Sequence, residues 1–136
     1  MHIVRVIVAV AALALSPFAS GQSFPVKPVV IVVAFAAGGG QDLFARALGQ
    51  ELAQLWGQPV LVENRAGATG IIGTEHVVKA APDGYTLLLS DAGSVMLTPL
   101  LYKGQIQYDP EADLMAVSGL ITNSSGLAAS ARLPAN

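Results

Sequence analysis

An α/β fold built on a parallel sheet, with helices on its faces, is the class this chain predicts. Three observations carry that expectation. Strand-like and helix-like stretches alternate along the chain. Val29 to Phe35 is a continuous β-branched and aromatic run, as a strand buried on both faces requires. That run leads through Ala36-Ala37-Gly38-Gly39-Gly40-Gln41 into Asp42 and an amphipathic stretch, which is the pattern of strand, glycine loop and helix.

Taken in order, the first helix is expected over Asp42 to Trp56. Phe44, Leu48, Leu52 and Leu55 recur at helical spacing with Ala47 beside them, while Arg46, Gln50, Glu51 and Gln54 fall elsewhere. Gly57 and Pro59 end it. Val60 to Glu63 is a second strand, Asn64 to Gly70 a loop, and Ile71 to Ala81 a second helix. Ala81-Pro82-Asp83-Gly84 is a turn signature. Tyr85 to Ser90 is a third strand and Asp91-Ala92-Gly93-Ser94 another loop. A third helix spans roughly Val95 to Tyr102, with Pro99 tolerable near its start or at a kink. Leu114 to Ile121 reads as a fourth strand. Leu127 to Ala131 has strand character, and Arg132 to Asn136 reads as a turn into a helix that does not follow.

In an open parallel sheet, ligands sit outside the carboxyl ends of the strands. The loops at 36–41, 64–70 and 91–94 all follow strands, so all three belong to that edge. The glycine loop also aims unpaired backbone N–H groups and a helix N-terminus at one spot, and such a spot attracts an anion.

Residues 1–21 have the layout of a cleaved secretory signal. Arg5 lies in the short leading segment, Val6 to Leu15 is apolar, and Ser16 to Gly21 brings small residues and a helix breaker, so the cut is expected after Gly21. The apolar run is shorter than the roughly 20 residues a spanning helix needs, and later apolar runs are strand-sized. No membrane insertion is therefore expected once the signal is removed. Residues 22–136 form the second unit. The chain has no cysteine, which excludes disulfides, thiol catalysis and cysteine metal sites. Its net charge is −2, and losing Arg5 makes the remainder more negative still. With no basic patch, nucleic acid is not an expected partner.

Several ordered motifs then resemble one family. They are Phe24-Pro25-Val26-Lys27-Pro28 with the strand into Ala36-Ala37-Gly38-Gly39-Gly40 and Asp42; Gly57-Gln58-Pro59-Val60 with Val62-Glu63-Asn64-Arg65-Ala66-Gly67; and Ala80-Ala81-Pro82-Asp83-Gly84-Tyr85-Thr86-Leu87-Leu88. Thr98-Pro99-Leu100-Leu101-Tyr102, Tyr108-Asp109-Pro110 and Leu133-Pro134-Ala135 continue the series. Together they resemble the Bug-type solute-binding receptors of tripartite tricarboxylate transporters. The resemblance implies a periplasmic receptor of the type II binding-protein fold. Its two lobes close like a Venus flytrap on a small carboxylated solute, which is then handed to a membrane permease. It also implies that backbone N–H groups and water hold the ligand carboxylate, with no metal or cofactor. Carried over, the candidate ligand-binding residues are Ala36, Ala37, Gly38, Gly39, Gly40, Gln41 and Asp42 after the first strand, and Ser90, Asp91, Ala92, Gly93 and Ser94 after the third.

Three departures stand out. Gln41 replaces a small hydroxyl residue, which would cap the helix better. Asp91 occupies a position where a neutral residue is common, and it repels an anion unless it points away or meets a cation on the ligand. The chain is also less than half the family length, so it reads as part of the first lobe, truncated before the second. An alternative is a non-functional remnant, since a half-receptor offers one wall of a cleft; residues 22–136 alone are expected to bind carboxylates weakly or not at all. A further alternative is an exported α/β hydrolase using His76, Ser90 or Ser94, and Asp91. The serines do not stand in a G-x-S-x-G elbow, there is no nucleotide-binding G-x-G-x-x-G or Gly-Lys-Ser/Thr, and the expectation is a binding module without enzymatic activity. Arg65 is expected to pair with Glu63 or solvent, Trp56 to pack at the helix end, and Asp109, Glu111 and Asp113 to form a solvated loop.

Overall fold

The computed structural model describes residues 23–104 and 106–122. The signal reading at 1–21 and the strand reading at Leu127 to Ala131 lie outside them. Three strands form a parallel sheet in the order β2–β1–β3, where β1 is Val29–Val33, β2 is Val60–Asn64 and β3 is Thr86–Leu89. Val29 pairs with Val60 and Val33 with Asn64 on one side of β1, and Val30 with Thr86 and Val33 with Leu89 on the other. The helical elements are α1 (Gly40–Trp56), α2 (Ile71–Val78), α3 (Thr98–Leu101) and α4 (Pro110–Asp113).

The β-branched run is central because it alone is flanked on both edges and covered on both faces. Val29, Ile31, Val32, Val33 and Ala34 are all buried. Ile31 and Val33 pack with Ala45, Leu89, Phe44, Leu52, Val60 and Val62 on the α1 face. Ala34, on the opposite face, lies against Gly73 of α2. The connection from β1 to β2 and the one from β2 to β3 step in opposite directions across the sheet, and right-handed crossovers then place their helices on opposite faces. Val32 has no solvent exposure, so Val32→Ala is expected to cost about 2 kcal/mol, through lost transfer energy and a residual cavity. A urea denaturation midpoint, with an unchanged slope, checks it.

The helix expected from Asp42 starts at Gly40 and ends at Trp56, where Gly57 N–H donates to Ala53 O. Its apolar face is the expected one at Phe44 and Leu52, which pack half-buried against the core, while the fully buried positions go to smaller residues and Leu55 departs. Asp42, Ala45 and Gly49 are the buried positions, and Leu55 is 77% exposed. Small residues win the contact because α1 comes close to β2: a Cβ on Gly49 would stand 3.4 Å from Val60 Cγ1. The second helix ends at Val78, earlier than Ala81. The third begins as one wide turn at Gly93–Leu97, in which the N–H of Thr98 reaches back to Gly93 O. It stands just ahead of Pro99, which has no N–H to continue the regular ladder.

Leu114 to Ile121 does not join the sheet. The stretch from Leu114 to Thr122 lies outside any ladder, with Met115 87% and Val117 77% exposed. Its apolar pattern is strand-like, but a strand forms only where a neighbouring edge supplies ladder partners. Here a hollow of about 460 Å³ lies between residues 116–119 and the end of β3.

Opposite the carboxyl edge, Phe24 packs edge-on against Trp56 (6.1 Å between centroids) and tilted against Tyr85 (4.9 Å), and the Lys27 ammonium sits 4.2 Å from the Tyr85 ring centre. Trp56 therefore packs at the helix end, far along the chain fold from the glycine loop. No described helix is long and apolar enough to cross a membrane.

Candidate functional site

The loops after β1 and β3 leave toward opposite faces of the sheet, since α1 covers Ile31 and Val33 while Val95 and Met96 lie beside Leu88, which pairs with Val32. Adjacent strands whose connections diverge in this way open a crevice at their carboxyl ends. The three strand-end loops meet there. Gln41 Nε2 donates to Asp91 Oδ2 at 3.3 Å, joining the first loop to the third. Gly70, at the end of the second loop, lies against Ser94 and Ala34: a Cβ there would be 2.9 Å from Ser94 Cβ and 3.6 Å from Ala34 Cβ.

The glycine loop is held from beneath. Gly38 has φ +83°, a conformation that excludes most side chains. Its N–H donates to Asp42 Oδ2 at 2.8 Å. The same carboxylate receives Arg46, with Nε 3.1 Å from Oδ2 and Nη2 2.9 Å from Oδ1. Arg46 Nη2 also donates to Asn64 Oδ1 at 3.1 Å, and Asn64 Nδ2 donates to Phe35 O at 3.2 Å. One side-chain network thus joins the start of the loop, the first turn of α1 and the end of β2. Arg46 and then the Gly38 N–H hold the Asp42 carboxyl down at about 2, with Asn64 contributing. Asp42 is 3% exposed and faces inward, so its charge anchors the loop.

The upper surface of the loop is open. Ala36, Ala37, Gly38, Gly39 and Gly40 are exposed. The first intrahelical bond is donated by Leu43 to Gly39 O, and no side chain caps the helix. The N–H groups of Gly40, Gln41 and Asp42 therefore precede the helical ladder, at the positive end of a 17-residue helix. In the third loop, Asp91 Oδ1 accepts from Ser94 N–H at 2.7 Å. Asp91 and Ala92 are exposed, Ser90 and Gly93 half-buried, and Ser94 buried. Ser90 Oγ and Gln41 Oε1 are buried atoms without a partner.

The other singled-out side chains are placed apart from this crevice or used structurally. Arg65 pairs with Glu63 at 2.6 Å. Asp109 caps α4 by accepting from Glu111 N–H, and Asp109, Glu111 and Asp113 border that exposed turn. Tyr108 is buried, which pushes its phenol pKa upward, with Glu75 adding to the shift. Among the described residues no hydrogen bond joins His76 to Ser90, Ser94 or Asp91, and the Asp91 oxygens are taken by Ser94 and Gln41. No group of three or more His, Asp or Glu among the described residues could hold a metal ion.

The sequence places the loop from Asn64 to Gly70 at this edge but does not show the contacts of Asn64 and Gly70, nor the part played by Arg46 and Thr74. Thr74 Oγ1 donates to Gly70 O at 2.9 Å and fixes the end of the second loop. The paired glycines Gly67 and Gly70 are the signal that could have found it; Asn64 and Arg46 carry none, because their partners lie across the fold.

Comparison with known proteins adds four findings. The tripartite tricarboxylate transporter family receptor profile matches residues 44–136. Protein BugT of Bordetella pertussis is 43% identical over 99 residues, covering 73% of this chain and 30% of that protein. Among solved structures, the periplasmic binding protein BugD is 47% identical, with a TM-score of 0.59 over 64% of this chain and 28% of its own. MatC from Rhodopseudomonas palustris with bound malate is 39% identical, with a TM-score of 0.60 over 66% of this chain and 30% of its own. These likenesses agree with the mixed α/β fold and its parallel sheet. The chain spans about a third of the length of the curated relatives it matches.

Proposed function

Because this chain belongs to the tripartite tricarboxylate transporter receptor family, we propose that it supplies one wall of a periplasmic site that holds a small organic carboxylate for delivery to a membrane permease. The observation that carries this reading is the convergence of the Gly38–Gly40 loop and the Asp91–Ser94 loop at the carboxyl ends of β1 and β3, joined by the Gln41–Asp91 hydrogen bond. The N–H groups of the first turn of α1 have no intrahelical acceptor, and a carboxylate can satisfy two or three of them at once. Ala37, Gly38, Gly39, Gly40 and Gln41 line the approach from the first loop, and Ser90, Asp91, Ala92, Gly93 and Ser94 from the third. Asp42 serves from below by fixing Gly38.

The malate in the MatC structure makes malate the first ligand to try. Binding to a single wall is expected to be weak, with Kd in the millimolar range, about −4 kcal/mol. Amide NMR on the full chain checks it. The expected result is saturable shifts at the N–H groups of Gly39 to Asp42 and Ala92 to Ser94. Shifts scattered over the surface, or none, would overturn the reading. In the receptor as a whole, ligand acts by favouring the closed arrangement of two lobes. The hydrolase alternative has no supporting contact, since Asp91 is engaged by Gln41 and Ser94 and not by His76.

A further inference from the structure

Two polar side chains at this site, Gln41 from the first loop and Asp91 from the third, are bonded to each other. Gln41 Nε2 donates to Asp91 Oδ2 at 3.3 Å, and Ser94 N–H donates to Asp91 Oδ1 at 2.7 Å. Both donors are neutral. They orient the Asp91 carboxylate without cancelling its charge, and they hold it beside the first turn of α1, on which Gln41 itself stands. Gln41 thus supports the placing of the Asp91 carboxylate.

Among the described residues no ion pair involves Asp91, and Lys103 stands in none of the pairs. Lys27, Arg46, Arg65 and Lys79 are paired with Asp83, Asp42, Glu63 and Glu75. Asp91 is exposed at the rim of the hollow beyond β3, whose lining from Leu88, Ala92, Val95 and Val117 is apolar. A ligand whose carboxylate rests on the N–H groups of α1 therefore lies beside a fixed anion. A second carboxylate on that ligand meets like charge, whereas a cationic nitrogen meets an oriented acceptor.

We propose that Asp91, held by Gln41, makes this site select a carboxylate that also carries a cationic nitrogen, an amino-acid-like zwitterion, over a dicarboxylate. The inference rests on the reading of the two loops as a carboxylate site. Specificity here comes as much from repelling the wrong charge as from attracting the right one.

The test compares succinate with 4-aminobutyrate, ligands of similar length that differ in the charge at one end, on the full chain and on its Asp91→Asn and Gln41→Ser variants. Asparagine can still accept from Ser94 N–H, so the loop keeps its cap, and matching circular dichroism confirms that the variants fold. Amide shifts at Gly39 to Asp42 report binding. The expected result is about a tenfold preference for 4-aminobutyrate in the unaltered chain, abolished in Asp91→Asn. Gln41→Ser keeps the charge but removes the bond that orients it, so the preference should fall without reversing; an unchanged ratio would show that Gln41 does not hold Asp91 for this task. Two outcomes overturn the proposal while leaving the carboxylate site standing: succinate bound at least as well by the unaltered chain, or both ligands bound with a ratio that Asp91→Asn does not change. Failure of both ligands to shift those amides in every variant overturns the carboxylate-site reading and this proposal with it.

Discussion

Gly73→Ala is expected to destabilise the chain by about 3 kcal/mol. A Cβ at Gly73 would stand 2.9 Å from Ala34 Cα, 3.0 Å from Ala34 Cβ and 3.0 Å from Arg65 O. Two of these three are backbone atoms at the carboxyl ends of β1 and β2, so no side-chain rotation relieves the clash. The helix must lift from the sheet. Lifting α2 also disturbs the site, because Thr74 Oγ1 holds Gly70 O and Gly70 packs against Ser94. Urea denaturation measures the loss. Gly119→Ala is the control: nothing lies within 4 Å of its Cβ, and a shift near zero is expected.

Asp42→Asn is expected to release the glycine loop from its anchor. Asn can accept a bond from Gly38, but it cannot form the ion pair with Arg46, which in turn steadies Asn64 and the Phe35 carbonyl. Hydrogen exchange at the Gly38 amide should speed up, while exchange in β1 changes little. The pH dependence gives a second readout. The folded-state pKa of Asp42 is depressed from 3.8 to about 2, so the fold favours the anion. That stabilisation is fully present above about pH 4 and is lost as the pH falls through about 2. Asp83, lowered by Lys27 and the Tyr85 N–H, contributes in the same direction. Acid denaturation of Asp42→Asn should therefore lose part of its dependence over this window and retain the share due to Asp83. An Asn variant with the same acid profile as the unaltered chain would show that Asp42 does not anchor the loop.

The elements were legible because their signals are local. The run from Val29 to Val33 has the composition of a doubly covered strand, and Gly38-Gly39-Gly40 marks the turn into α1 without reference to anything distant. Gly57 stops the helix by its own hydrogen bond to Ala53. The strand-like stretch from Leu114 to Ile121 misled because pairing is not local: its pattern resembles that of β2, yet it lies outside any ladder. Leu55 departs from the expected face of α1 for a related reason, while Phe44 and Leu52 keep to it. Large apolar residues mark a helix face, but where backbones approach closely the contact goes to small ones, and Ala45 and Gly49 took it from Leu55.

The sequence by itself determined the alternation of strand and helix, the glycine loop and the three strand-end loops at one edge. Each follows from the periodicity and turn chemistry of consecutive residues. What those loops do to one another follows from packing across the fold. Gln41 and Asp91 lie 50 positions apart in the chain, and Asn64 and Phe35 lie 29 apart. Their meeting depends on the β2–β1–β3 order and register, and on how closely α2 seats against Ala34. Hydrogen bonds tolerate only tenths of an ångström, so side chains brought together by packing cannot be paired from local pattern. The inward turn of Asp42 and the outward charge of Asp91 are two carboxylates of one crevice, given different tasks by neighbours that the sequence keeps far apart.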